Sequence, residues 1–582
     1  VTTVHRGGDR RPLTLVPLGG LGEFGMNCAL LFDGSVEDGP CIAVDCGGRF
    51  AGDELPGVDL ILPDLSLLER IGRRLQGYVV THGHEDHIAA LPHALARQQA
   101  PLYAPRYCLD QLLPRLEQHG QQYVERRPLL PGQTVQVGPF TVEPIAVSHS
   151  IPGSLALAVR RGDALAVFSG DFRIDRDPIH GPPTDVARLA ALGDEGVTLL
   201  YADSTGADVP GANPGERSIR ASLQQAISSA RQRVVVATFP SHAVRLRQLF
   251  ECALASGRQV VVVGRSAQEH LLLARRHGIV EVPSSLLVDE ARARDLPRSR
   301  LLVIATGCQG ERRAALPRMA SGAPELPPIE RGDRVIHSAR VIPGNETAVL
   351  RMVNSLLRLG AEWVAGDSGV HVSGHGYRDD LRQLIELTRP AIFVPAHGDR
   401  LHLQAHAELA LQAGAAPNAI ALVEDGQPVE VFEEHGRWRW RGLPPLQLRS
   451  LLLDENGSVL ESETALGERR HASHLGVIFA ALPLSAGRDG RLGPVQLRTF
   501  GVDECALAPL LDEVRAEIDH DAGHLDHNEQ RDPAAVEQMV QRAVRRMFRR
   551  GELRPPDVVV ALAPVASDAT PRRRQKRSRR SR

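Results

Sequence analysis

The run Thr81-His82-Gly83-His84-Glu85-Asp86-His87 constrains this chain more than any other stretch, because it sets three imidazoles and two carboxylates within six positions. Neutral imidazole and carboxylate are the ligands that zinc-like ions take. The apolar Gly77-Tyr78-Val79-Val80 precedes the run and reads as a buried strand, while Ile88, Leu91 and Leu95 follow it at helical spacing. The cluster therefore falls on a strand-to-helix loop. His82 and His84 flank a glycine, and Asp86 and His87 lie just beyond, so one short loop could serve two neighbouring metals. A single structural zinc would need fewer groups.

A binuclear centre needs more ligands than this loop supplies, and the ends of other apolar strands are where they should lie. Val147-Ser148-His149-Ser150 follows a strand starting at Phe140, and Phe168-Ser169-Gly170-Asp171 follows Ala164 to Val167. Val394-Pro395-Ala396-His397-Gly398 follows Ala391-Ile392-Phe393. A sheet puts consecutive strand ends along one rim, so these groups can converge on the loop.

The rest of the pattern gives such a rim a fold. Short apolar runs alternate with turn signals through the first two hundred residues, which predicts two packed sheets with few helices, lying outside. From about 208 the texture becomes helix alternating with strand: Ile219 to Arg231, Val234 to Ala237, Val244 to Ala255, Val260 to Val263 and Leu301 to Ile304. That is the rhythm of a parallel sheet, and it ends near Trp363 after a helix around Glu346 to Leu359. A third stretch, about 446 to 565, predicts a small α/β module. It has a hairpin from Gly476 to Phe500 turning at Gly487-Arg488-Asp489-Gly490. Its helix places Val536, Val540, Val544 and Phe548 on one face and Arg542, Arg545, Arg546, Arg549 and Arg550 on the other. That arginine face reads as solvated, with RNA as a second use.

Composition narrows the class. The chain has 582 residues, enough for three or four domains on a prior of about 150 each. Apolar residues make up 42% and aromatics only 4%, so Leu, Val, Ile and Ala must build the cores. No apolar leader is evident and no apolar stretch approaches ~18 residues, so a cytoplasmic protein without a membrane span is expected. The seven cysteines form no CxxC pair and read as small buried residues. The net charge of -2 conceals a basic end: Arg572, Arg573, Arg574, Lys576, Arg577, Arg579, Arg580 and Arg582, with no acid among the last eleven residues. Such an arm would attract polyanions, although Lys576 is the chain's only lysine and the arginine preference fits codon composition as well as phosphate recognition.

Two further motifs carry less. Gly20-Leu21-Gly22-Glu23-Phe24-Gly25 fits a dinucleotide-binding fingerprint, but a strand from Met26 to Phe32 follows where a helix is required, so it reads as a hairpin turn. His520, His524, Asp526 and His527 read as part of a polar connector.

Taken together, the motifs resemble the metallo-β-lactamase superfamily in its β-CASP branch of nucleases, and within it the ribonuclease J type. The resemblance rests on the His82 to His87 run, Ser148-His149-Ser150-Ile151-Pro152, Gly170-Asp171-Phe172-Arg173, Asp203-Ser204-Thr205, Ala237-Thr238-Phe239 and Gly264-Arg265-Ser266. It continues through Thr306 to Glu311, Ile342-Pro343-Gly344-Asn345-Glu346, His371-Val372-Ser373-Gly374-His375-Gly376 and Pro395-Ala396-His397-Gly398. The first run alone marks only the superfamily; the HVSGHG and IPGNE segments mark the ribonuclease J type. Met26, Gly153, Gly206 and Asp399 depart from the usual pattern, and no expected ligand is lost.

The resemblance implies an αββα metallo-β-lactamase sandwich with an inserted β-CASP α/β domain and a small C-terminal α/β domain. Its expected parts are 1–207 and 366–445 for the sandwich, 208–365 for the insert, 446–565 for the C-terminal domain and 566–582 for a basic disordered tail. It implies that His82, His84 and His149 hold one zinc and Asp86, His87 and His397 a second, with Asp171 bridging and Asp45 orienting ligands from behind. Manganese or magnesium could replace zinc. Two such ions lower the pKa of a bound water from ~15.7 to ~7, so the site needs an acid more than a base. His375, oriented by Asp203, is the implied donor to the departing 3′-oxygen, with Asp86 in the catalytic set. His371, Val372, Ser373, Gly374, His375, Arg265 and Ser266 would line the substrate cleft.

The implied activity is a zinc-dependent ribonuclease, a 5′ to 3′ exonuclease with endonuclease activity as a second mode, in mRNA decay and rRNA maturation. The implied partners are RNA, a homodimer or homotetramer, and RNA-decay proteins. A small-molecule hydrolase of thioesterase or lactonase type and a catalytically silent RNA-binding subunit are the alternatives.

Overall fold

The computed structural model describes residues 11–565 apart from 53–54, 284, 325, 461–462 and 486–490. The basic end and the turn Gly487 to Gly490 lie outside the described residues. Two compact units are present: residues up to 453 without 53–58, and residues 53–58 with 454 onward.

Strict alternation along the strands builds the first unit. In Leu13–Gly19, Leu13 and Leu15 face one core while Val16 and Leu18 face another. The same split recurs in Cys28–Asp33, Cys41–Val44 and Leu75–Val79, which belong to an eight-stranded sheet. A six-stranded sheet containing Phe140–Ala146, Leu155–Arg161, Ala164–Phe168, Leu199–Asp203 and Ile392–Ala396 packs against it through Phe140, Leu157, Phe168, Leu199 and Val394. The outer face of the first sheet is covered by Leu67, Leu68, Leu91, Leu95, Leu112 and Leu116 from helices, and that of the second by Leu189, Leu381 and Leu409. The result is the expected αββα sandwich.

Between Leu199–Asp203 and Ile392–Ala396, which pair in parallel, the chain leaves to form a five-stranded sheet that is parallel throughout. Its strands read as continuous apolar runs because both faces are covered. Val234 and Val236 face one core, and Val235 and Ala237 the other.

Three sequence expectations change. The first two hundred residues contain more helix than their texture suggests, notably Arg106–Gln118, whose internal Pro114 disguises a buried stripe of Tyr107, Cys108, Leu112 and Leu116. The Gly20 to Gly25 segment does join two antiparallel strands, but Leu21–Gly22 also pairs in parallel with Gly398–Asp399. His520 and His524 are not in a connector; they end the helix Glu504–His524, and the Asp526 carboxylate accepts backbone N–H groups of Asn528 and Glu529.

In the second unit, Val477–Ser485 pairs antiparallel with Gln496–Phe500 and parallel with Asp557–Val565. Helix Pro533–Arg550 buries Val536, Val540, Val544 and Phe548 beneath Ile478 and Leu482, leaving Arg542, Arg545, Arg546, Arg549 and Arg550 exposed. Among the described residues no helix is long and apolar enough to cross a membrane. The six cysteines whose side chains are described are free and buried.

Candidate metal centre

Parallel pairing explains why distant residues meet. Cys41–Val44 pairs with Leu75–Val79, and Ala164–Phe168, Leu199–Asp203 and Ile392–Ala396 pair successively, each parallel. Their C-terminal ends therefore share a rim, and the chain beyond each end carries Asp45, His82 to His87, Asp171, Asp203 and His397. Open α/β sheets place chemistry at such ends. Asp45 and His397 leave their strands with φ of 57° and 55°, a conformation that side chains rarely adopt. Gly47 is required where the first turn meets the histidine loop, because a Cβ there would lie 1.7 Å from the Asp86 carbonyl oxygen.

Three groups of ligand-type side chains share the Asp171 carboxylate: the two expected sets, and a third made of Asp171, Asp203, His375 and His397. His82, His84, His149 and Asp171 gather on one side, and Asp86, His87, His397 and Asp171 on the other, each set within 4.8 Å. Asp171 Oδ2 lies 3.4 Å from His82 Nε2 and 3.6 Å from His149 Nε2, while Oδ1 lies 3.1 Å from His87 Nε2. His397 Nε2 lies 3.0 Å from Asp86 Oδ2, and His149 Nε2 lies 3.1 Å from His84 Nδ1. Asp171 is 2% exposed, and its Oδ1 has no hydrogen-bond donor. A buried acceptor in that state is costly unless a cation takes it.

The outer contacts fix the imidazole tautomers. His87 Nδ1 donates to Asp45 Oδ2 at 2.8 Å, and His149 Nδ1 donates to the Gly374 carbonyl at 2.9 Å. Asp45 also accepts the Thr81 backbone N–H at 2.7 Å and its hydroxyl at 2.8 Å, which leaves Thr81 Oγ1 to accept from His82 Nδ1 at 3.0 Å. Each arrangement leaves the Nε2 lone pair facing the cluster, as metal-ligating histidines require. Asn27, which no motif singles out, places its Nδ2 3.1 Å from His87 Nε2.

Electrostatics divide the imidazoles between the two sides. Burial pushes His82, His84 and His149 below the ordinary imidazole range, toward the ligating neutral form. Burial acts likewise on His87 and His397, but Asp171, with Asp86 beside both, overrides it and holds them well above that range. Burial works against charge on Asp171, Asp86 and Asp203, yet the surrounding imidazoles keep all three below the usual carboxylate range. Two buried carboxylates and the partly exposed Asp86, facing five imidazoles, make a donor set suited to divalent cations.

His375 stands beside the second cluster. Its Nδ1 lies 2.8 Å from Asp203 Oδ2, its Nε2 3.9 Å from Asp171 Oδ2, and its ring stacks on His397 at 5.4 Å between centroids. Thr205 Oγ1 lies 2.6 Å from His397 Nδ1. Among the other expected cleft residues, Val372 and Ser373 are buried, and His371 Nδ1 accepts from Arg245 Nη1 at 3.3 Å. Arg265 and Ser266 are exposed at the start of the helix Arg265–Arg276, and no hydrogen bond or ion pair joins their side chains to the clusters.

Models of known families agree with this architecture segment by segment. Residues 55–192 match the beta-lactamase superfamily domain, 231–356 the ribonuclease J beta-CASP domain, 368–421 the Zn-dependent metallo-hydrolase RNA specificity domain and 464–565 the ribonuclease J C-terminal domain. Fold and site together define a β-CASP metallo-hydrolase with a metal cofactor. The chain is 35% identical to Ribonuclease J of Sinorhizobium meliloti, over 92% of this chain and 94% of that protein. It is 36% identical to Ribonuclease J of Mycolicibacterium smegmatis, over 91% and 94%, and 36% identical to that of Synechocystis, over 81% and 73%. The chain belongs to the ribonuclease J family.

Proposed function

We propose that this hydrolytic ribonuclease works as a zinc enzyme with two ions per subunit, degrading RNA from a monophosphorylated 5′ end and cutting internally as well. The observation that carries this reading is the bifacial carboxylate of Asp171, one oxygen toward each histidine cluster. His82, His84 and His149 would hold one ion, Asp86, His87 and His397 the other, with Asp171 shared. When bound, the pair supplies Lewis acidity and an activated water at neutral pH. Asp45 and Thr81 hold the ligands His82 and His87 in position from behind. His375, with its Nδ1 tied to Asp203, presents Nε2 to the reacting phosphodiester and gives the departing 3′-oxygen its proton, leaving a 5′-phosphate on the product. His371, Val372, Ser373 and Gly374 carry the substrate phosphate, with Arg265 and Ser266 further along the cleft.

Zinc is favoured by the donor set of imidazoles and carboxylates, with manganese or magnesium as substitutes. The family match supports RNA turnover, in mRNA decay and rRNA maturation, by a cytoplasmic homodimer or homotetramer working with other RNA-decay proteins. The divisions at 207/208, 365/366, 445/446 and 565/566 complete the reading. Incubating the protein with 5′-monophosphate and 5′-triphosphate RNAs tests it. Faster release of mononucleotides from the monophosphate RNA is expected, and equal rates on both would refute the end preference.

A further inference from the structure

Several carbonyl groups hold the segment that presents His375. Ser338 Oγ donates to the Val370 carbonyl at 2.6 Å, Arg245 Nη2 to that of Val372 at 3.4 Å and Arg173 Nη1 to that of Ser373 at 3.1 Å. The Gly374 carbonyl accepts from His149, one of the candidate metal ligands. Gly374 must be glycine for this contact, since a Cβ would lie 2.8 Å from the His149 ring.

Asn213 spans the middle of that set. Its Nδ2 donates to the Ser373 carbonyl at 3.0 Å and to the His375 carbonyl at 2.7 Å, so the carboxamide straddles Gly374. The amide cannot be turned over, because Oδ1 accepts the Gly215 N–H at 2.9 Å and a flip would set oxygen against two carbonyls. Its backbone N–H donates to Asp380 Oδ2 at 2.8 Å, which also accepts the Tyr377 N–H. Asn213 is 6% exposed.

We infer that Asn213 is a positioning residue that sets His375 and, through the Gly374 carbonyl, the metal ligand His149 by one carboxamide. The inference rests on the reading of His375 as the proton donor. Removing both donors frees the His375 carbonyl and leaves that of Ser373 to Arg173 Nη1 alone, so the His375 ring and the intervening Gly374 carbonyl that accepts from His149 Nδ1 lose a shared restraint. Contacts that orient metal-ligating histidines typically change metal affinity or activity about 10- to 100-fold.

The test uses the full chain and two variants, Asn213→Ala and the nearly isosteric Asn213→Asp, which keeps the Gly215 contact and loses both donors. Melting curves, zinc affinity by chelator competition, and kcat and KM on a short RNA are measured. In a folded variant, kcat should fall about 10- to 100-fold with KM within about threefold, and zinc affinity should fall about tenfold. If Asn213→Ala does not fold, Asn213→Asp decides. A folded variant with both kcat and zinc affinity within about twofold of the parent, or with loss confined to melting temperature, overturns the inference. If the parent leaves RNA intact while the variants still lose zinc affinity, the functional reading fails and the role of Asn213 toward His149 stands.

Discussion

His397 Nε2 lies 3.0 Å from Asp86 Oδ2, although 311 positions separate the two residues in the chain. The whole β-CASP insert intervenes, and the parallel pairing of Leu199–Asp203 with Ile392–Ala396 brings the ends back together. Substituting His397→Ala should therefore remove one ion and leave the His82–His84–His149 side able to bind. Metal analysis after dialysis checks this: about one ion per subunit is expected against two in the parent, with activity lower by more than about 100-fold.

The proposed role of His375 is proton donation, although it also stands in a group with Asp171, Asp203 and His397 that could hold an ion. His375→Ala should lower kcat by about 10²- to 10⁴-fold, the usual range for removing a general acid, while metal content stays at the parental value. Asp203→Asn should lower kcat less, because the imidazole remains, although the substitution also alters the 3.3 Å contact of Asp203 Oδ1 with His397 Nδ1. Single-turnover cleavage of a labelled RNA, alongside metal analysis, separates the two effects.

Asp45 accepts from Thr81 twice and from His87 once, and touches neither cluster's facing nitrogens. Asp45→Asn keeps its size but places an N–H₂ group against one of those donors. Metal affinity should fall about 10- to 100-fold, read by competition with a chelator.

Metal binding should weaken in acid. The carboxylates hold His87 and His397 well above the ordinary imidazole range, so a cation entering their side must displace protons. Lower pH makes that displacement harder, and affinity should drop by about tenfold or more from pH 8 to pH 6. Isothermal titration in two buffers of different ionisation enthalpy would show the proton release directly.

Much of the candidate site was legible because its residues end apolar runs. His82 to His87, His149, Asp171 and His397 each follow a strand that the alternation of Val, Leu, Ile and Phe already marks, and one rim is the only place for them. Less legible was anything set by backbone shape. The positive φ of Asp45 and His397 leaves no trace in residue type, and Leu21–Gly22 pairs with Gly398–Asp399 through a stretch that reads only as a turn. Helix Arg106–Gln118 was hidden by Pro114, since the proline suggests a break where the helix runs through. Asn27 and Asn213 act through single carboxamides placed by tertiary contacts, and no pattern in the sequence distinguishes them from the chain's other asparagines.

RNA cleavage by chelator-stripped protein, before and after zinc is restored, tests the account most directly. The stripped protein should leave RNA intact, and two equivalents of zinc per subunit should restore cleavage to products with 5′-phosphate ends. Undiminished cleavage by the stripped protein would contradict a metal centre built on Asp171.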